Sequence, residues 1–205
     1  MSEHVEVIGT GSASGAPDVV VIDARIQCEE GGVAAALSSA ATRTGAALSA
    51  AADHGVADVD RRTTGMGIGT RWDPQGGGIV GYTAHQTLRL TVRDRDRAGA
   101  VLQALAGAAG DALGIDAVTL DVLDPAPLLR EARSAAFADA RTRAEQYAAL
   151  AGRDLGPVLR VSEAPLSHEP TPRMLAAKIE SGASMPVEPG ESVITTSVLV
   201  RFGLG

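Results

Sequence analysis

Leu128–Gly152, LLREARSAAFADARTRAEQYAALAG, is the stretch on which the fold turns. Ala132, Ala136, Ala140, Ala144, Ala148 and Ala151 recur every three or four residues and so line one side of a helix. Arg130, Arg133, Arg141 and Arg143 alternate with Glu131, Asp139 and Glu145 around the rest of it. A stripe of methyl groups lets a helix approach a sheet or another helix closely. It is a packing device and holds no catalytic group. Pro125 and Pro127 introduce the helix, as tolerance for proline in a first turn permits, and Gly152 ends it.

Strands are expected on either side. Upstream, Val5–Gly9 reads as a short strand and Pro17–Cys28 as a longer one. In the longer strand Val20, Ile22, Ala24, Ile26 and Cys28 alternate with Val21, Asp23, Arg25 and Gln27. Gly31 and Gly32 break it, and Val33–His54 reads as an alanine-rich helix closed by Gly55. Val59–Arg71 is extended but made irregular by Gly65, Gly67 and Gly69, and Asp73–Gly78 is a strong turn signal. Ile79–Arg93 alternates Val80, Tyr82, Ala84, Leu88, Leu90 and Val92 against Thr83, His85, Thr87, Arg89 and Arg93, so the two runs predict a long hairpin. Asp96–Ala109 reads as a helix capped by Asp94 or Asp96, and Ile115–Leu123 as a strand. After the long helix come strands at Gly156–Ala164 and Ser192–Phe202, separated by a proline-rich loop at 166–189. Helix–strand units recur at 33–71 and 128–164, the pattern of an internal duplication. The fold class predicted is α+β: a mixed, mainly antiparallel sheet packed by helices on one face, in one domain over 1–205.

Composition narrows function. The net charge of −7 and the absence of clustered basic stretches argue against nucleic acid or an anionic membrane as partner. Lys178 is the only lysine among the 18 basic residues. No apolar run approaches the roughly 20 residues that span a bilayer, so no membrane insertion is expected. Met1–Gly11 lacks the basic segment and apolar run of a signal peptide, which predicts a cytoplasmic chain. The single cysteine, Cys28, excludes an intramolecular disulfide and lies on the apolar face of its strand, where a thiol is structural.

Motif-like patterns fail on context. Gly9-Thr-Gly11-Ser-Ala-Ser14-Gly15 nearly matches GxGxxG, but a strand follows it where a dinucleotide site needs a helix N-terminus. A turn or strand offset is the better reading there. His4, His54, His85 and His168 are scattered, with no second ligand at metal spacing. His85 reads as a solvated or interface histidine. Ser38-Ser39 lacks the strand–turn context of a nucleophile elbow. Asp121 and Asp124 flank a strand end, and capping accounts for Asp124. No set of residues supplies nucleophile, base and orienting group together, so no enzyme, metal or cofactor is expected.

The order of elements, with particular phrases along it, resembles the SIMPL domain (DUF541) family. The phrases are Val7-Ile-Gly-Thr-Gly11, Ala16-Pro-Asp-Val-Val20, Gly55-Val-Ala-Asp-Val-Asp60 with Thr63-Thr64, and Ile79-Val-Gly-Tyr-Thr-Ala84. On the long helix they are Arg130-Glu-Ala132, Ala138-Asp-Ala-Arg141, Ala144-Glu-Gln-Tyr-Ala148 and Leu150-Ala-Gly152, with Pro189-Gly190-Glu191 before the last strand. The resemblance implies sheet packed by helices on one face, no established activity or cofactor, and, in some members, large rings or channel-like oligomers. Most bacterial members are exported, from which the start of this chain departs.

The function expected is therefore that of a non-enzymatic, self-associating structural or interaction protein, a homo-oligomer with ring-like closure as one form. The hairpin edge would supply the contact. Trp72, Tyr82, His85 and Arg89 are the candidate interface residues. Trp72 reads either as a residue partly buried under the glycine turn or as an interface anchor. The alternative is a small-ligand binding module using the cleft near the 166–189 loop, with His85, Arg89 and Arg173 as its polar groups.

Overall fold

The computed structural model describes residues 3–163 and 190–205. Seven strands and three helices run in the order β1 (His4–Gly15), β2 (Val19–Glu30), α1 (Val33–Asp53), β3 (Arg61–Trp72), β4 (Ile79–Val92), α2 (Ala98–Ala109), β5 (Leu113–Asp121), α3 (Ala126–Leu150), β6 (Leu155–Glu163) and β7 (Ser192–Leu204). The fold is α+β, as the alternation of periods predicts. The strands form two sheets where one mixed sheet was expected, and every pairing between them is antiparallel. An alanine-faced helix is narrow and covers two strands, so seven strands divide between separate helical covers. The proline-rich loop, with His168, Arg173 and Lys178, lies outside the described residues.

Two compact units result, each with its own core. One holds β1, α3, β6 and β7, with strand order β1-β7-β6; the other holds β2 to β5 with α1 and α2, in strand order β3-β4-β2-β5. The same connection recurs in both. A first strand (β1, β2) is followed by a helix (α3, α1), an edge strand (β6, β3), and a last strand (β7, β4) that lies between the other two. The two predicted helix–strand repeats occupy equivalent places in this β-α-β-β pattern. The second unit adds α2 and β5, and in sequence it stands between β1 and α3 of the first.

Glycine meeting alanine sets the spacing of the first unit. Ala132, Ala136, Ala140 and Ala144 are fully buried on α3. A Cβ at Gly9 would collide with the Ala136 carbonyl and lie 2.6 Å from the Ala140 Cβ, and one at Gly11 would strike Ala136 N and Ala132 O. The near-GxGxxG phrase is thus the face of a strand pressed against a helix backbone. β1 consequently runs through to Gly15, beyond the turn or offset read at Gly9–Gly15. Val7, Val198, Val200 and Phe202 fill the space beside the stripe, and Phe137 tilts against Phe202 at a ring distance of 6.4 Å.

In the second unit Ile22, Ile26, Leu88, Leu90, Val101 and Leu105 form the centre of the core, with Ala36, Ala40, Ala47 and Ala51 of α1 buried over β2 and β4. Cys28 is buried as a free thiol. Residues 58–60 form a 3-10 turn, so Val59 and Asp60, read as the start of a strand, are not extended, because Asp60 is buried against Arg93 in a two-point ion pair. Asp94 accepts from Asp96 N ahead of α2, and Asp124 accepts from Ala126 N at the start of α3.

Two tests follow from this packing. Gly11→Ala should destabilise the chain by about 3 kcal/mol, since the neighbour that must yield is backbone. Gly45→Ala, mid-helix with open space around its Cα, should instead stabilise by about 0.5–1 kcal/mol. Chemical denaturation of both variants checks the contrast. Asp139 on α3 accepts from Thr10 N at 2.9 Å, satisfying a β1 amide, and also pairs with Arg143. The Thr10 amide, followed by the Arg143 guanidinium, holds the Asp139 carboxyl below the ordinary carboxylate range. A depressed folded value gives stability that is present above the unfolded pKa and lost as pH falls through the folded one. Asp139→Asn should therefore lower the thermal midpoint at pH 7. The gap to wild type should narrow once pH falls below about 4.

Candidate interaction surface

β3 is an edge strand. Its inner side pairs with β4 over almost its whole length, and among the described residues no other strand pairs with its outer row of N–H and C=O groups. β4 itself is interior, flanked by β2 and β3, so the open edge predicted for the hairpin belongs to β3 alone. The segment Thr63–Thr70, TTGMGIGT, carries no charge and no proline. Proteins ordinarily guard a free edge with charges, prolines or short length. Here a 12-residue edge carries Arg61 and Arg62 at one end and Arg71 near the other, with eight uncharged residues between them.

The two faces of this sheet differ. On the helix side, α1 sits over β2 and β4 and scarcely reaches β3, so the alternating Met66 and Ile68 are left 72% and 43% exposed. On the open side Gly65, Gly67 and Gly69 present a track without side chains. The His85 imidazole leans over this track: a Cβ at Gly67 would stand 2.6 Å from its Cε1. Thr64 donates to Thr87 Oγ1 at 3.0 Å, and Thr87 donates to Gly65 O. Across β4 and β2 the open face carries Arg89–Asp23, Arg25–Asp116 and Arg71–Glu29 ion pairs at 2.7–3.2 Å. Arg89 meets Asp23 with Nε and Nη2 at 2.7 and 2.9 Å. The Asp23 carboxylate, with a smaller contribution from Asp121, raises the guanidinium's pKa further.

Of the four residues proposed from sequence, His85 and Arg89 share the open face, four residues apart on β4. Tyr82 points to the other side, beside Cys28, Ala36, Ala40 and Ala84. Trp72 ends β3 opposite Ile79 and is 65% exposed, so it is not covered by the glycine turn. Sequence reasoning missed Met66 and Ile68. Their alternation was visible, but the intervening glycines were read as irregularity. Arg173, the third polar group of the ligand-module reading, lies outside the described residues. Among the described residues no group of three His, Cys, Asp or Glu side chains could hold a metal ion, and no helix is long and apolar enough to cross a membrane.

A family model described as "Protein of unknown function (DUF541)", SIMPL, matches residues 5–202 and thus spans both units. The chain belongs to the SIMPL family. It is 26% identical over 181 residues to the uncharacterized protein YggE of Escherichia coli K12, covering 87% of this chain and 72% of that protein. It is 27% identical over 228 residues to the 26 kDa periplasmic immunogenic protein of Brucella melitensis, covering 97% of this chain and 84% of the relative. A similar match links it to the protein of the same name in Brucella abortus. The phrases on β1, β4 and α3 that carried the resemblance lie within the matched region. Several of them are packing features: Gly9 and Gly11 against α3, and the α3 alanines themselves.

Proposed function

We propose that this SIMPL chain is a non-enzymatic, self-associating interaction protein that builds its assembly by strand addition along the outer edge of β3. One observation carries the reading: a 12-residue edge strand whose middle is uncharged and whose helix-side apolar residues, Met66 and Ile68, are left uncovered. An antiparallel copy of β3 related by a two-fold axis at Gly67 would place Gly67 against Gly67 and Met66 against Ile68. Gly65 would then lie against Gly69. Such a contact is self-complementary, as a two-fold interface requires. It would join two four-stranded sheets and bury the exposed methionine and isoleucine in cross-strand pairs.

A two-fold contact closes on itself, so a ring needs a second interface. β6 offers one. It is the equivalent edge strand of the other unit, and α3 scarcely reaches it, leaving Val158 and Val161 43% and 52% exposed. The Brucella relative's name places that protein in the periplasm, whereas a cytoplasmic location is the expectation for this chain. Fractionation of the native host, with the chain detected by antibody, decides between them.

Light scattering tests the assembly directly. Wild type should give a discrete multiple of 20.8 kDa that survives dilution, and Met66→Asp should cut it to at most the dimer that a β6 contact alone would hold, with an unchanged circular dichroism spectrum. A wild-type monomer at every concentration would sink the reading. Trp72→Ala should weaken association by roughly tenfold, about 1.4 kcal/mol, if the indole anchors the contact. Trp72 is the only tryptophan, so iodide quenching of its fluorescence reports the same event. Quenching should be efficient in Met66→Asp and suppressed in the assembled wild type.

A further inference from the structure

The open faces of the two sheets carry the same charge arrangement at equivalent places. On the four-stranded sheet Arg62 of β3 lies directly opposite Arg89 of β4, and Arg89 lies directly opposite Asp23 of β2. On the three-stranded sheet Arg160 of β6 lies opposite Arg201 of β7, and Arg201 lies opposite Glu6 of β1. In each case the edge strand and the last strand of the β-α-β-β unit supply arginines, and the first strand supplies one acid. That acid engages only the central arginine. Asp23 takes Arg89 at 2.7 Å, and Glu6 takes Arg201 at 2.8 Å. Arg62 and Arg160 make no hydrogen bond or ion pair among the described residues, and both are exposed.

Like charges directly opposite on an antiparallel pair destabilise it. The cost recurs in both units, although acidic residues outnumber basic ones by 25 to 18 in the chain. Each triad keeps one net positive charge. Each also keeps one complete guanidinium fork, on the edge arginine, beside a second fork that is only partly used. Two adjacent forks suit a tetrahedral dianion, whose oxygens accept from both and whose charge relieves their repulsion. A polyanion is disfavoured by the net charge of −7.

We propose that Arg62 with Arg89, and Arg160 with Arg201, form two equivalent binding sites for a phosphate group, free or carried on a small phosphomonoester. The proposal is independent of strand addition at β3, because the Arg160 site lies on the other sheet and is read separately.

The test is thermal denaturation of the full chain in inorganic phosphate, in O-phosphoserine, and in sodium chloride at matched ionic strength. A phosphorus NMR titration with inorganic phosphate reports binding without denaturation. Wild type should gain about 2–4 °C in midpoint at tens of millimolar phosphate relative to chloride. Arg62→Gln and Arg160→Gln should each remove about half of that gain, and the double variant all of it. In chloride alone the double variant should melt at or above the wild-type midpoint, because the like-charge repulsion is gone. An equal phosphate response in the double variant overturns the proposal, as does a wild type that responds no more to phosphate than to chloride. A response to both phosphate compounds assigns the group whatever carries it, and a response to inorganic phosphate alone assigns the free anion. Either supports the sites. Loss of the phosphorus line broadening in the double variant should accompany loss of the thermal shift.

Discussion

The close approach of α3 to β1 is the constraint on which the first unit depends. Two glycines on the strand and a row of alanines on the helix bring backbone to backbone, so neither element tolerates an added methyl group there. The proximity has a second effect. A helix faced with alanine is slim, and it covers two strands and leaves the third. The same holds for α1, whose buried row is Ala36, Ala40, Thr44, Ala47 and Ala51. The exposed apolar residues on β3 and β6 thus follow from the packing that builds the cores, and the surface proposed for association is a by-product of the alanine stripe.

Much of this was legible in the sequence because period and punctuation agree. The α3 stripe, the two-residue alternation of β2 and β4, and the Asp73–Gly78 turn fix three elements and one hairpin, and the structure has them within a few residues. What could not be read was partition. Whether β1 and β2 join one sheet depends on partners far along the chain: β1 pairs with β7, almost the full chain length away. Gly9 and Gly11 carried a signal that was read as a turn or offset, because a glycine chosen for close packing and a glycine chosen for a turn look alike until the packing partner is placed.

The candidate surface was half legible. Trp72, His85 and Arg89 were singled out by residue type, and Tyr82 was placed with them only because the hairpin was treated as one surface. Alternation alone separates Tyr82 from His85, since odd and even positions of β4 face opposite ways. Met66 and Ile68 escaped notice because three glycines interrupt the run that contains them. Their exposure reflects how far α1 reaches, a quantity that no local pattern encodes. The ion pairs of Arg89 and Arg201 depend likewise on cross-strand register.

β1 and β7 lie at opposite ends of the element order, and they pair residue for residue from His4↔Gly203 to Gly15↔Ser192. The strands and helices described for the unit of β2 to β5 all precede residue 124, while at that point β1 still lacks both its helix and its partner strand. During synthesis on the ribosome, at about 5–20 residues per second, the inserted unit can fold seconds before the unit that flanks it. For that interval β1, rich in glycine and serine and poor in large apolar groups, has nothing to pair with and little to aggregate through. The small residues that let α3 approach also leave the waiting strand with few large apolar groups to expose until β7 is made.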